Sequence, residues 1–277
     1  MNPPLTWLYV PGDRPDRFAS ALASEADVVI IDLEDAVVAD HKDAARLNAR
    51  ALLTEATPKP VVVRVNDVRT PWGIADCAAM SDAPSIAGIR VPKVENAEDV
   101  VSVRAALTQR KIPLHCLIES ARGIEAAFDI ATAQPPVASI GLGEADLRSD
   151  LGVTVDDGLL WARSRVVVAA RAAGLPAPAM SVYPNVHDLD GLAAHCRRGR
   201  DLGFFGGVAI HPRQLAVIAG CFTPTNEEVA QARELLDALD VAEHQGRGGG
   251  VLPDGRFVDR AMVAGARRIV ALATRRS

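Results

Sequence analysis

The strongest constraint on the fold is a repeated alternation. Short runs rich in β-branched and aliphatic residues are each followed by a longer segment with apolar residues at helical spacing. The runs are "TWLYV" (6–10), "DVVIIDL" (27–33), "PVVVRVN" (60–66), "IAGIRVPK" (86–93), "PLHCLIE" (113–119), "VASIGLG" (137–143), "APAMSVYP" (177–184) and "GGVAIHP" (206–212). Strand-then-helix units in such succession predict parallel strands joined by helical crossovers. The expected class is α/β, a (β/α)8 TIM barrel. An open doubly wound sheet is the alternative. Its GxGxxG fingerprint is missing after the first strand, where the chain reads "VPGDRPDR". Aromatic residues make up only 4% of the chain and hydrophobic residues 49%, so aliphatic side chains must build the core, as suits parallel strands under helices.

The composition changes once, at "HQGRGGGVLPDGRFVDR" (244–260), where five glycines and Pro253 exclude a long helix. A helical stretch, "AMVAGARRIVALAT", comes next. The expected organisation is a barrel domain over 1–243 and a C-terminal lid segment with a helix over 244–277. A net charge of −5 argues against a nucleic-acid partner. Cys77, Cys116, Cys196 and Cys221 are widely spaced and form no CxxC pair, which predicts free thiols in a reducing compartment. The N-terminus lacks the basic and apolar regions of a signal peptide, and no apolar stretch approaches the roughly 20 residues that cross a bilayer. A cytoplasmic protein with no membrane partner is expected.

In a (β/α)8 barrel all strands end at one rim, where such proteins keep their chemistry. The strand ends here are polar: Asp13, Arg14 and Arg17 after the first, Asp32, Glu34 and Asp35 after the second, Arg64 and Asn66 on the third. Lys93, Glu119, Glu144 with Asp146, and His211 lie on later strands. Each has a bland reading. Glu119 could be a salt-bridged strand end, Asp146 a helix N-cap, Arg64 half of a structural ion pair and His211 a structural hydrogen-bonding residue. Asp32, Glu34 and Asp35 could be a solvated acidic turn. Their coincidence at one rim carries the functional reading. Two carboxylates on neighbouring strand ends suit a hard cation, Mg²⁺ or Mn²⁺, completed by water and substrate oxygens. There is no HExxH, histidine cluster or cysteine pair to suggest zinc. Carboxylates, a cation and an arginine together suit carbon–carbon chemistry through an enolate.

Six ordered blocks carry a family resemblance: "YVPGDRPDRF", "IIDLEDAV…HKDAAR", "VVRVN", "LIESARGI", "GLGEADL" and "GFFGGVAIHPRQLAVI…FTPTNEEVAQARELL". Together, over about residues 7–262, they resemble the citrate lyase β-subunit-like (CitE-like) group of the HpcH/HpaI aldolase superfamily, which includes malyl-CoA and citramalyl-CoA lyases. The resemblance implies a TIM barrel with Mg²⁺ held by Glu119 and Asp146, Arg64 and Glu119 as substrate-binding residues, and Arg64 and Asp259 as catalytic residues. It implies Asp259, in "GRFVDRAMV", as a lid aspartate over the site, and a homotrimer. It implies cleavage or formation of a 3-hydroxyacyl-CoA such as malyl-CoA or citramalyl-CoA, with acetyl-CoA and an α-keto acid on the other side. Threonine is commoner than Ser120 after the metal glutamate, but serine keeps the hydroxyl. Asp32, Glu34 and Asp35 are expected to orient metal-bound water or Arg64. Arg14, Arg17, Lys42 and Lys93 are the cations available for coenzyme A phosphates. The alternatives are a citrate lyase β subunit acting on an acyl carrier, a thioesterase step after condensation, and a metal-dependent aldolase acting without coenzyme A.

Overall fold

The computed structural model describes residues 3–107, 112–134, 136–252 and 254–273. Seven parallel strands form one sheet: β1 (Thr6–Pro11), β2 (Val28–Asp32), β3 (Val61–Arg64), β4 (Ile86–Val91), β5 (Leu114–Ile118), β6 (Ser139–Leu142) and β7 (Gly207–Ala209), in the order β6-β5-β4-β3-β2-β1-β7. Sequence neighbours are therefore spatial neighbours, and β7 returns to pair with β1. All five β2 residues are buried, as befits a strand covered on both faces. On β1 full burial alternates with partial burial: Thr6, Leu8 and Val10 are buried, whereas Trp7, Tyr9 and Pro11 are half-buried. Trp7 and Tyr9 pack with Val28, Ile30, Val62, Val208, Ala179 and Val182, which gathers several strands around one inner face.

The run 177–184 forms no strand. It touches the sheet through one parallel bridge, Met180 to Gly207. Its hydrogen bonds run to the β7 side, Met180 N to Gly206 O at 2.9 Å and Val208 N to Met180 O at 3.1 Å. Pro176, Pro178 and Pro184 explain why: a proline has no N–H to contribute to a ladder. Among the described residues no backbone ladder joins this segment to β6, so the sheet has seven hydrogen-bonded strands where eight were expected.

The chain divides into two compact units, Met1–Ala219 and Gly220–Ser277. The second begins before residue 244 because the helix Asn226–His244 packs with the hairpin and helix C-terminal to it. That helix starts at a capping box of Thr225 and Glu228. It shares a small core with an antiparallel hairpin, β8 (Gly249–Val251) and β9 (Phe257–Asp259), in which Leu239, Leu252 and Val258 are buried together. The helix Val263–Ala273 completes the unit. Pro253 and Thr274 lie outside the described residues. No helix of the described residues is long and apolar enough to cross a membrane.

Candidate active site

Strand register brings the first two residues of the site together. Asp32 and Arg64 end β2 and β3 and are direct partners in the ladder. Their side chains meet in a two-pronged ion pair, Arg64 Nε to Asp32 Oδ1 and Nη2 to Oδ2, both at 2.7 Å. Asp32 also accepts the Glu34 amide at 2.9 Å and the Ala36 amide at 3.2 Å, so it shapes the turn after β2 as well. Arg64 Nη1 lies 2.8 Å from Glu34 and 3.2 Å from Asp35, and the guanidinium sits 4.8 Å above the Tyr9 ring. Burial works against the Arg64 charge, but Tyr9, Asp32 and Glu34 outweigh it and hold the pKa well above the ordinary value. Three of its five N–H groups make hydrogen bonds, to Asp32 and Asp35, so Arg64 keeps one N–H on Nη2 and one on Nη1 outside them.

Glu119 comes directly after β5 and is buried. Its Oε2 accepts the Lys93 amide at 3.1 Å. Lys93 has φ +55°, the only positive φ outside glycine among the described residues. It turns its amide to Glu119 while its ammonium lies 2.9 Å from Glu34 and 3.6 Å from Asp35. Burial opposes the Lys93 charge too, yet the Glu34 and Asp35 carboxylates raise its pKa above the ordinary lysine value. Burial pushes the Glu119 carboxyl up to about 7. Arg64 pulls against this shift, whereas Asp146 and Asp35 add to it. Glu34 is likewise raised by burial, against the pull of Arg64 and Lys93. Its two oxygens meet those cations at ion-pair distance but without hydrogen-bond alignment.

Gly143 makes room for Glu119. A Cβ at residue 143 would stand 2.2 Å from Glu119 Oε1 and 2.4 Å from its Cγ. Beyond Gly143 the helix Glu144–Leu151 begins, with two acids in its first turn. Their fates differ. Glu144 is buried and paired through both oxygens with Arg163, at 2.8 Å each, and Arg163 also binds Asp156. Asp146 is half-buried, caps nothing and has no side-chain ion pair among the described residues. Glu119, Asp146, Arg64, Asp32, Asp35 and Arg17 all line one cavity of about 440 Å³. Among the described residues no three His, Cys, Asp or Glu side chains converge as a ready-made metal cage. A buried carboxylate with a raised pKa, in one cavity with a second carboxylate that makes no ion pair among the described residues, fits a hard divalent ion that takes its remaining oxygens from water and substrate.

The other expected site residues are dispersed. Lys42 is buried, and its ammonium donates to the carbonyls of Leu33 (2.9 Å) and Glu34 (2.7 Å); it pins the turn after β2 and does not face solvent. Arg14 is exposed and folded onto Asp16 at 2.8 Å. Arg17 is exposed and stands on the cavity wall. Asp13 pairs with His41, Asn66 binds the buried Asp76, and His211 caps a short helical turn by accepting the Arg213 amide. Ser120 caps the helix Ala121–Glu125, a role either hydroxyl residue can fill. Asp259 lies in the second unit, where its Oδ1 accepts the Ala261 amide at 2.9 Å. Sequence reading missed Arg90, Tyr9 and Arg163. The one available signal for Arg90 was a charge inside the apolar run "IAGIRVPK".

Relatives of known description match nearly the whole length of this chain. A (3S)-malyl-CoA thioesterase of Cereibacter sphaeroides is 36% identical over 96% of this chain and 93% of its own. An L-malyl-CoA/beta-methylmalyl-CoA lyase of the same species is 34% identical over 95% of this chain and 92% of its own. Among solved structures, CitE from Mycobacterium tuberculosis in complex with magnesium, acetoacetate and coenzyme A superposes with a TM-score of 0.84 at 32% identity, covering 98% of each chain. Residues 5–212 match the family model described as HpcH/HpaI aldolase/citrate lyase, and the chain belongs to that family.

Proposed function

We propose that the protein is a Mg²⁺-dependent carbon–carbon lyase. It cleaves, or in reverse forms, a 3-hydroxyacyl-CoA such as malyl-CoA or citramalyl-CoA, with acetyl-CoA and an α-keto acid as the other pair. The observation that carries the reading is the buried carboxylate of Glu119 and the half-buried, ion-pair-free carboxylate of Asp146, which line one cavity with Arg64. Glu119 and Asp146 would hold the cation, and Gly143 keeps Glu119 in place. When bound, the cation supplies Lewis-acid polarisation of the keto-acid oxygens.

The chain's own residues do the rest. Asp32 orients Arg64 through a two-pronged pair, so that a free N–H is aimed without reorganisation at the thioester oxygen, where enolate charge develops. Glu34 and Lys93 fix the other side of that cluster. In the cleavage direction a base takes the hydroxyl proton, the C–C bond breaks, and protonated Asp259 delivers a proton to the enolate carbon. In condensation, ionised Asp259 removes that proton. In this reading the C-terminal segment that carries Asp259 would act as a lid. Arg17 is the cation best exposed for a coenzyme A phosphate; Lys42 is committed elsewhere. A cytoplasmic homotrimer completes the proposal.

The test is a coupled assay of purified protein with Mg²⁺ on (S)-malyl-CoA, (S)-citramalyl-CoA and citryl-CoA, reading keto-acid release, with EDTA and Glu119→Ala as controls. Metal-dependent release of acetyl-CoA and a keto acid supports the lyase. Release of free coenzyme A with an intact hydroxy acid supports thioester hydrolysis, the second reading, favoured by the 36%-identical malyl-CoA thioesterase. No turnover of any ester with metal bound points to a carrier-dependent subunit or a coenzyme A-free aldolase.

A further inference from the structure

Arg90 is a buried cation without an anion. It projects from β4 among the rings of Trp7 and Tyr9, with its guanidinium carbon 5.8 and 5.6 Å from their centroids. It is 8% exposed, its Nε has no hydrogen-bond partner, and none of its nitrogens makes an ion pair among the described residues. An unpaired charge at that depth costs several kcal/mol unless something neutralises it. The inner positions of such a sheet usually hold Val, Ile or Leu.

Arg90 lines the 440 Å³ cavity of the proposed active site and also a second chamber of about 200 Å³. Trp7, His115, Ser139 and Ala177 line the chamber, and each precedes a rim residue on its own segment (Tyr9, Glu119, Gly143 and Ser181). The chamber therefore lies toward the N-terminal ends of the strands, away from the carboxylates. Arg90 Nη2 approaches Gly141 on that side, 3.9 Å from where a Cβ would stand. Among the described residues, Arg90 is the only one on the chamber wall with a permanent charge. Burial, helped by Arg90, pushes His115 down to about 4, so it is neutral, and its Nδ1 is paired with the Ser139 hydroxyl at 2.8 Å. Most of the remaining wall is apolar, including Trp7, Phe205 and Ala179.

We propose that this chamber is a binding site for a small organic monocarboxylate, separate from the catalytic cavity. One guanidinium without a competing carboxylate calls for one anion, and its planar fork matches a carboxylate. The apolar wall takes a short hydrocarbon tail. The volume lies below the range of drug-sized pockets, which limits the ligand to a few carbons. The proposal stands whether or not the lyase reading holds.

The probe is butyrate, titrated calorimetrically into the full-length protein in carboxylate-free buffer. A Kd on the order of 1 mM is expected for so few atoms. Arg90→Met, which replaces a buried charge by an apolar chain, should weaken binding at least about tenfold while the protein stays folded. Ala179→Leu keeps the cation and fills the chamber, and should also abolish binding. Saturating the other cavity with Mg²⁺ and pyruvate should leave butyrate binding unchanged. The proposal fails if butyrate does not bind, if both variants bind like the wild type, or if Mg²⁺ with pyruvate displaces it, since that would place the anion in the catalytic cavity.

Discussion

Gly143→Ala tests the core of the proposed metal site with a single methyl group. The added Cβ would stand 2.2, 2.4 and 2.6 Å from Oε1, Cγ and Cδ of Glu119, where ordinary contact begins at 3.4 Å. The three clashing atoms belong to one side chain, so relief comes by moving that side chain, by roughly 1 Å (3.4 − 2.2 Å). Mg²⁺ demands near-octahedral geometry at about 2.0–2.1 Å, so a displacement of that size removes the ligand. Even disturbing a residue behind a ligand costs about 10–100-fold in metal affinity, and loss of Glu119 itself should cost at least as much. The overpacking penalty is about 1–3 kcal/mol, or a Tm lower by roughly 2–12 °C for a chain of this size. The assay is Mn²⁺ binding by electron paramagnetic resonance, with a melting curve on the same sample. A folded variant that binds Mn²⁺ as tightly as the wild type would refute the assignment of Glu119 as a ligand held in place by Gly143.

Three further outcomes are expected. Asp32→Asn should leave Arg64 without its two-pronged partner; turnover should fall by about 10²-fold or more while metal affinity changes little, because the catalytic group is misaimed. Burial raises Glu119 to about 7 from its ordinary 4.5, so the fold favours its protonated form. That contribution is complete below pH 4.5 and lost as pH rises through about 7, so metal-free protein should lose melting temperature across this window. Added Mg²⁺ should reverse the trend at the upper end, with chelator restoring it. Asp259→Ala should lose about 10²–10⁴-fold in rate but keep its metal; unchanged turnover would remove Asp259 from the reaction.

Much of the fold was legible because buried parallel strands announce themselves as apolar runs, and "VVIID" and "LHCLI" are such runs. The run 177–184 misled because its β-strand look came from Met180, Val182 and Tyr183, while the prolines that prevent a ladder sit at its ends. In the site, Glu119 and Arg64 could be found from their positions at the ends of apolar strands. The choice between Glu144 and Asp146 could not be made from strand ends, because the residue that claims Glu144 is Arg163, 19 positions later on another helix. Lys42 looked like a surface cation, yet the turn after β2 leaves carbonyls that its ammonium satisfies, and that is a tertiary fact. Arg90 was hidden because an arginine within a strand can point either way. The β3–β4 register makes Arg90 the ladder partner of Arg64, and that pairing is not readable from the run itself.

The left-handed backbone at Lys93 sets strain against pairing. A lysine held at φ +55° costs of the order of 1–3 kcal/mol, and glycine there would relieve that strain. Glycine would also strip the buried Glu34 carboxylate of one of its two cations, a loss of comparable size. The two effects oppose each other, so the turn after β4 and the charge on Glu34 are bound to one residue, and neither can drift without disturbing the other.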